Sequence, residues 1–135
     1  MIPITKPSLD NSDYKYIKQV LKSKILTDGY FQQKTEKLLK KYIKSKFVAL
    51  THSCTAALEI SAILINLKKN DEVIMPSYGF VSVANAVVLR GAKPIFADIN
   101  PLTLNVSYKD ISKKITKRTK AIYVIHYAGN SCEID

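Results

Sequence analysis

The sequence predicts an α/β protein built on a mainly parallel sheet. Four short apolar, β-compatible runs, Phe47 to Thr51, Val73 to Met75, Pro94 to Ala97 and Ala121 to Ile125, alternate with stretches of helical period. The residues directly after each run are small, polar or aromatic. That is the pattern expected where a ligand sits outside the carboxyl ends of parallel strands.

Taken in order, Ser12 is placed to cap a first helix whose apolar positions Tyr14, Ile17, Val20 and Leu21 share one face. Asp28-Gly29 supplies turn chemistry, and a second amphipathic helix follows with Phe31, Leu38, Leu39 and Tyr42 as its stripe and lysines opposite. After the first strand run, Cys54 to Leu67 is apolar nearly all round, which predicts a helix buried against a sheet. A further helix is predicted from about Phe80 to Arg90, with Gly91 placed for the left-handed conformation at its end. The last starts at Ser107 with Asp110 three residues on, close to a capping box although aspartate is the shorter acid. Strand, helix and parallel strand in succession imply right-handed crossovers.

Composition bounds the function classes. At 135 residues and 47% hydrophobic content the chain suits one domain with a modest core, and it contains no apolar run long enough to span a membrane. Cys54 and Cys132 are too few for a disulfide framework and lack paired metal-ligand spacing, so a reducing, cytoplasmic location is expected, with no metal and each thiol a small buried hydrophobe. The net charge of +10 is spread over 19 lysines on faces that helices would turn to water, against two arginines, Arg90 and Arg118. Arginine is the better bidentate partner of phosphates and bases, so solvated surface is expected rather than nucleic-acid binding.

The strand ends carry the candidate site. After the first run comes Thr51-His52-Ser53-Cys54-Thr55-Ala56, small hydroxyl residues at a helix start, where free amides and the helix dipole favour a phosphate. Pro76-Ser77-Tyr78-Gly79-Phe80, Asp98, and His126-Tyr127-Ala128-Gly129 follow the other three. Each has a plainer reading: Ser53 or Thr55 as a helix cap, Phe80 as a core aromatic, His126 as a hydrogen-bonded strand end. Jointly, a phosphate site, a stacking aromatic and a polar strand end describe a pocket for a flat, phosphorylated cofactor.

The stretches Ser53-Cys54-Thr55-Ala56, Asn70 to Tyr78, Phe80-Val81-Ser82, Ala84-Asn85-Ala86, Leu89 to Lys93 and His126 to Gly129 resemble the DegT/DnrJ/EryC1/StrS aminotransferases along the whole chain. Within that family they resemble the dTDP-4-amino-4,6-dideoxygalactose transaminases. The resemblance implies the N-terminal part of the large domain of a fold type I pyridoxal-phosphate-dependent transferase, a three-layer α/β/α architecture that is incomplete here. Residues 1–46 would be its N-terminal helical segment and 47–135 a partial cofactor-binding domain. The cofactor implied is pyridoxal 5'-phosphate, with Cys54 and Thr55 on its phosphate, Phe80 stacked on its pyridine ring and His126 lining the cavity beside it. Tyr127 is implied on the substrate side. Gly79 stands where the family commonly has threonine.

The resemblance also implies what lies outside these residues: the acid paired with the pyridine nitrogen, a glutamine behind the cofactor, a phosphate-binding serine, the Schiff-base lysine and a C-terminal small domain. None of the lysines present corresponds to the Schiff-base residue. The first strand run would lie beside absent strands, away from the other three, with no neighbour. The expected function is therefore the N-terminal portion of an aminotransferase that moves an amino group from glutamate to a dTDP-linked 4-keto-6-deoxy sugar, inactive and aggregation-prone alone. The partners implied are those two substrates and a second subunit of a homodimer, with no nucleic acid and no membrane. The alternatives are one half of a split enzyme completed by a second chain, or a small non-catalytic α/β binding protein.

Overall fold

Pro3 and residues 6–133 are described by the structure, a computed structural model. The chain divides into two compact units, Met1–Leu50 and Thr51–Asp135.

The first unit is a pair of helices, α1 (Asn11–Ser23) and α2 (Tyr30–Ile43). α1 is capped by Asp10 and not by Ser12. The Asp10 carboxylate accepts from the amides of Ser12 at 2.6 Å and Asp13 at 3.3 Å, and the Asp13 carboxylate accepts from the Asp10 amide at 2.8 Å. An acid satisfies several free amides at once and complements the helix dipole, so it displaces the hydroxyl as cap. The Ser12 hydroxyl instead donates to Asp10 and, with those amides, holds the Asp10 carboxyl below the ordinary range. Tyr16 of α1 meets Phe31 of α2 edge to face, with ring centroids 5.5 Å apart. Around this contact Ile17, Val20, Leu21 and Leu38 line an open apolar groove of about 700 Å³.

Residues 47–51 form no strand. A strand exists through its ladder, no strand among the described residues pairs with this run, and Phe47 stands 85% exposed.

In the second unit, α3 (Cys54–Leu64) stops short of the expected Leu67 because Asn66 takes a left-handed φ of 54°. The Leu67 amide then donates to the Ala62 carbonyl at 3.1 Å, which folds the Leu67 side chain into the core. The three strands β1 (Glu72–Pro76), β2 (Lys93–Ala97) and β3 (Thr119–Ile122) form one sheet in the order β2-β1-β3, all parallel. β1, in the centre, is buried along its whole length. Between the strands run α4 (Ser82–Val88) and α5 (Tyr108–Lys114). Gly91 closes α4 at φ 73°, a conformation that costs glycine little.

Val73 and Met75 project from one face of β1 into a core of Ala62, Leu67, Val87 and Ala92, and Val83, Ala84, Ala121 and Tyr123 pack against it. α3 is only partly the buried helix that its composition predicts. Ala62 is fully covered, whereas Ile60, Ile63 and Leu64 are exposed, because no element of the same unit covers the opposite side. Ser107 begins α5 without a side-chain cap. Asp110 closes no capping box, because the Ser107 amide that it would reach donates instead to the Asp98 carbonyl at 2.8 Å; the Asp110 carboxylate accepts from the Asp98 amide at 2.8 Å, and that bond holds its carboxyl low.

At the amino end of the sheet, Glu72 is 3% exposed. Its carboxylate accepts from the Thr116 hydroxyl, and from Arg118 Nε at 2.8 Å and Nη2 at 2.6 Å, while its own amide donates to the Arg118 carbonyl at 2.9 Å. The Thr116 hydroxyl first, and Arg118 with it, hold the carboxyl below the ordinary glutamate range. A group so depressed contributes stability that is full above its unfolded pKa and is lost as pH falls through its folded value. Thermal melts followed by circular dichroism should therefore show Glu72→Gln melting well below the wild type at neutral pH, with the gap closing in acid. A pH-independent gap would refute the assignment. In the core, Leu67→Ala should cost roughly 2–5 kcal/mol in urea unfolding, the range for a leucine whose cavity cannot fully collapse.

Candidate functional site

Because the three strands are parallel, their carboxyl ends share one edge. The chain leaves them there as Ser77 to Phe80, Asp98, and Tyr123 to Tyr127. α3 joins the same edge from the other direction. Its carboxyl end feeds Leu67 into the core just before β1 starts, so its first turn lies toward the strands' exits. Leu58 and Ser61 accordingly line a groove of about 250 Å³ with Val83 and Ile122 to Ile125, and Ser61 Oγ lies 2.9 Å from the Tyr123 hydroxyl. Cys54 and Thr55 stand about one helical turn beyond Leu58.

At the start of α3, Ser53 is the cap, its hydroxyl accepting from the Ala56 amide at 3.1 Å and its carbonyl from the Ala57 amide at 3.2 Å. That leaves the amides of Cys54 and Thr55 without a partner among the described residues. Both residues are exposed, and the Thr55 hydroxyl is likewise unengaged there. Two free amides and a hydroxyl at the positive end of a helix dipole are a donor set that fits a phosphate.

Phe80 is not a core aromatic. It sits between β1 and α4 with 76% of its surface exposed, so a ring face is open to a flat ligand. His126 is exposed at the exit of β3, and its Nδ1 accepts from the Cys132 amide at 3.0 Å. Tyr127 opens a short 3₁₀ turn, Tyr127–Gly129. Its hydroxyl donates to the Tyr78 hydroxyl at 3.1 Å, with ring centroids 4.9 Å apart. No hydrogen bond or aromatic contact among the described residues joins Cys54 or Thr55 to Phe80, His126 or Tyr127. They share an edge of the sheet.

Two residues of this edge escape sequence reading. Tyr78 lies inside the segment that follows β1, yet nothing local marks it as the partner of a residue 49 positions away. Asn105 carries no strand-end signal at all. It is buried, its Oδ1 accepting from the Tyr127 amide at 2.9 Å and its Nδ2 donating to the carbonyls of Asn130 at 3.0 Å and Ser131 at 2.9 Å. At Gly79 a Cβ would come within 2.9 Å of Ile125 Cδ1, the far end of a flexible side chain, so a larger residue there, such as the threonine that the family resemblance implies, requires that Ile125 shift. Of the two cysteines, Cys132 is buried as expected and Cys54 is not. Among the described residues no group of histidine, cysteine and acidic side chains is placed to hold a metal, and no helix is long and apolar enough to cross a membrane.

One edge of a parallel α/β sheet thus carries a helix start with free amides, an exposed aromatic and a polar turn. Residues 7–135 match the DegT/DnrJ/EryC1/StrS aminotransferase family, and the chain belongs to it. It is 40% identical to the uncharacterized protein MJ1066 of Methanocaldococcus jannaschii, over 99% of this chain and 35% of that protein. It is 33% identical to the GDP-perosamine synthase of Vibrio cholerae, over 99% of this chain and 37% of the relative. NtdA of Bacillus subtilis, solved with bound cofactor PMP, superimposes with a TM-score of 0.84 at 32% identity, over 93% of this chain and 30% of that one. The chain thus spans about a third of the length of these relatives. Pyridoxal phosphate is the cofactor of the family, and the three-stranded parallel sheet is consistent with part of a fold type I domain.

The hydrogen bond to Tyr78, and then repulsion between the two phenolates, push the Tyr127 hydroxyl above its ordinary value. In an alkaline titration followed by phenolate absorbance, one of the eight tyrosines should ionise late. Tyr78→Phe should bring that component back toward about pH 10. An unchanged curve would place the late component elsewhere.

Proposed function

We propose that this chain forms the cofactor side of a pyridoxal-phosphate-dependent nucleotide-sugar aminotransferase, acting in the synthesis of enterobacterial common antigen or another cell-surface polysaccharide. The whole enzyme transfers an amino group from glutamate to the keto carbon of a dTDP-linked 4-keto-6-deoxy sugar. One observation carries this reading: the unpartnered amides of Cys54 and Thr55 lie toward the same sheet edge as the open face of Phe80 and the polar turn after β3.

In this reading the two amides and the Thr55 hydroxyl hold the cofactor phosphate, and the α3 dipole stabilises its charge. Phe80 stacks on the pyridine ring and keeps water from one of its faces. His126 lines the cavity beside the ring, and Tyr127, tied to Tyr78, faces the substrate. When bound, pyridoxal phosphate supplies an electron-withdrawing ring that accommodates the charge released as the amino acid loses its α proton. Residues 1–46 serve as the helical segment of the large domain and 47–135 as its cofactor-binding part. The two free thiols suit the reducing cytoplasm.

As an isolated polypeptide, the 135 residues are expected to bind the cofactor weakly and to turn nothing over, since the Schiff-base lysine implied by the family resemblance is not among them. Completion by a homodimer partner or by a separately encoded chain is compatible with the exposed Ile122 and Val124, which face away from the core, and with β3 as an outer strand of the sheet. A GDP-linked sugar is the competing substrate class, favoured by the named activity of the Vibrio cholerae relative.

Equilibrium dialysis should show pyridoxal phosphate bound more tightly than pyridoxal, which lacks the phosphate. Phe80→Ala should weaken binding about 2- to 10-fold, as for loss of one aromatic contact. Thr55→Ala should weaken it about tenfold, as for a hydrogen bond to a charged group. Equal affinity for pyridoxal would reject the phosphate assignment. Glutamate-dependent turnover of a dTDP- or GDP-linked keto sugar by the isolated chain would overturn the claim that it is catalytically silent.

A further inference from the structure

We propose that Asn105 is a positioning residue for His126, pinning the turn from His126 to Cys132 so that the histidine is presented as a fixed Nε2–H donor at the cofactor edge.

Asn105 is placed by its own loop. Its carbonyl accepts from the Asn100 amide at 2.8 Å and its amide donates to the Thr103 hydroxyl at 3.3 Å, across Leu104 in the left-handed region at φ 60°. From there its buried carboxamide grips the later turn at both ends. Oδ1 holds the amide of Tyr127, the residue after the histidine, and Nδ2 holds the carbonyls of Asn130 and Ser131, just before Cys132. These three bonds use the acceptor and both hydrogens of the side chain, and no isosteric replacement reproduces both functions: aspartate loses the donors, leucine loses everything. A buried polar group so completely satisfied has one low-energy arrangement, and it transmits that arrangement to what it holds.

Inside the clamp, the chain reverses through Ala128 at φ 50° and Gly129 at φ 80°, with Gly129 donating to the His126 carbonyl at 3.1 Å. The reversal brings the Cys132 amide to His126 Nδ1 at 3.0 Å, and Cys132 Sγ donates to the Ile125 carbonyl at 3.1 Å. A backbone N–H can only donate, so Nδ1 is the unprotonated nitrogen and the hydrogen of the neutral ring sits on Nε2. With Nδ1 occupied, Nε2 is the nitrogen left for a ligand, and the ring cannot rotate without breaking the bond. This assignment rests on the proposed cofactor role of the edge only for its use; the clamp itself is independent of any ligand.

The test is nuclear magnetic resonance on the full chain labelled with nitrogen-15, above the ordinary imidazole titration near about pH 6.5. The chain has two histidines, and His52, which makes no side-chain hydrogen bond among the described residues, is the internal reference. In the wild type, His126 Nδ1 is expected to resonate as a fully unprotonated nitrogen and to show a through-hydrogen-bond coupling to the Cys132 amide. A protonated Nδ1, or no coupling, overturns the proposal without any variant being made. In Asn105→Ala the coupling should vanish and His126 should relax to the tautomer mixture of His52, while the β1 amides keep their shifts. Should the alanine variant not fold, Asn105→Asp retains the acceptor for Tyr127 and loses both donors, and the same loss of coupling is expected. Coupling retained in a folded Asn105 variant refutes the clamp. Coupling present in a chain whose binding does not depend on the cofactor phosphate would leave the clamp standing and reject the functional reading instead.

Discussion

Glu72 closes the sheet at the end opposite the candidate site, and the placement of that site depends on it. Its carboxylate is held by Thr116 and Arg118, at the entry to β3, so the ion pair sets where β3 begins to run alongside β1. The register then shifts within one step: Glu72 pairs with Thr119, but Val73 pairs with Ala121, so Lys120 is passed over as a bulge. The consequence is which side chains face the core. Ala121 and Tyr123 pack with Val73 and Met75, while Lys120 stays exposed. A slip of one residue would turn Ile122 and Val124 inward and move the exit of β3 relative to Tyr78.

Of the ion pair, Glu72 is buried while the Arg118 side chain is largely exposed, so the desolvation cost falls mainly on the acid. Three side-chain hydrogen bonds compensate it there. The same bonds tie Glu72 to Thr116 and Arg118 at the entry to β3, and so to the register in which Glu72 pairs with Thr119. The neighbouring parallel pair needs no such device. β2 meets β1 in unbroken register from Glu72–Lys93 to Pro76–Ala97, with α4 packed close to both strands.

The parts legible in the sequence are those set by local chemistry. The runs Val73 to Met75 and Pro94 to Ala97 lie within β1 and β2, whereas the strand expected over Ala121 to Ile125 is found earlier, at Thr119–Ile122, because Glu72 pairs with Thr119 at the start of the ladder; the positive φ at Gly91 follows from its place after an apolar helix. Most of what escaped is set by partners far along the chain. Phe47 to Thr51 has strand composition, but composition does not supply a neighbour, and without a ladder the run stays irregular. Ser12 and Asp10 are both acceptable caps to a pattern rule, and only the reciprocal acid at Asp13 decides between them. α3, apolar nearly all round, read as a helix buried against a sheet because periodicity reports which faces are apolar and not which are covered. Tyr78 and Asn105 act through contacts spanning 49 and 22 to 26 positions, beyond any local signal.

These two kinds of support divide the candidate site. The start of α3 is held by Ser53 through bonds three and four residues long, and it forms wherever the helix forms. The turn after β3 is held by Asn105, a residue of another loop, and its geometry exists only when β2, β3 and the connection between them are all in place. The groups expected to take a phosphate are thus preformed by local structure, whereas the groups expected to face ring and substrate are assembled by tertiary structure. No direct contact couples the halves among the described residues, so substitutions in one half should add to those in the other. Anything that loosens the sheet would therefore erode discrimination between ligands before it erodes retention of a phosphate.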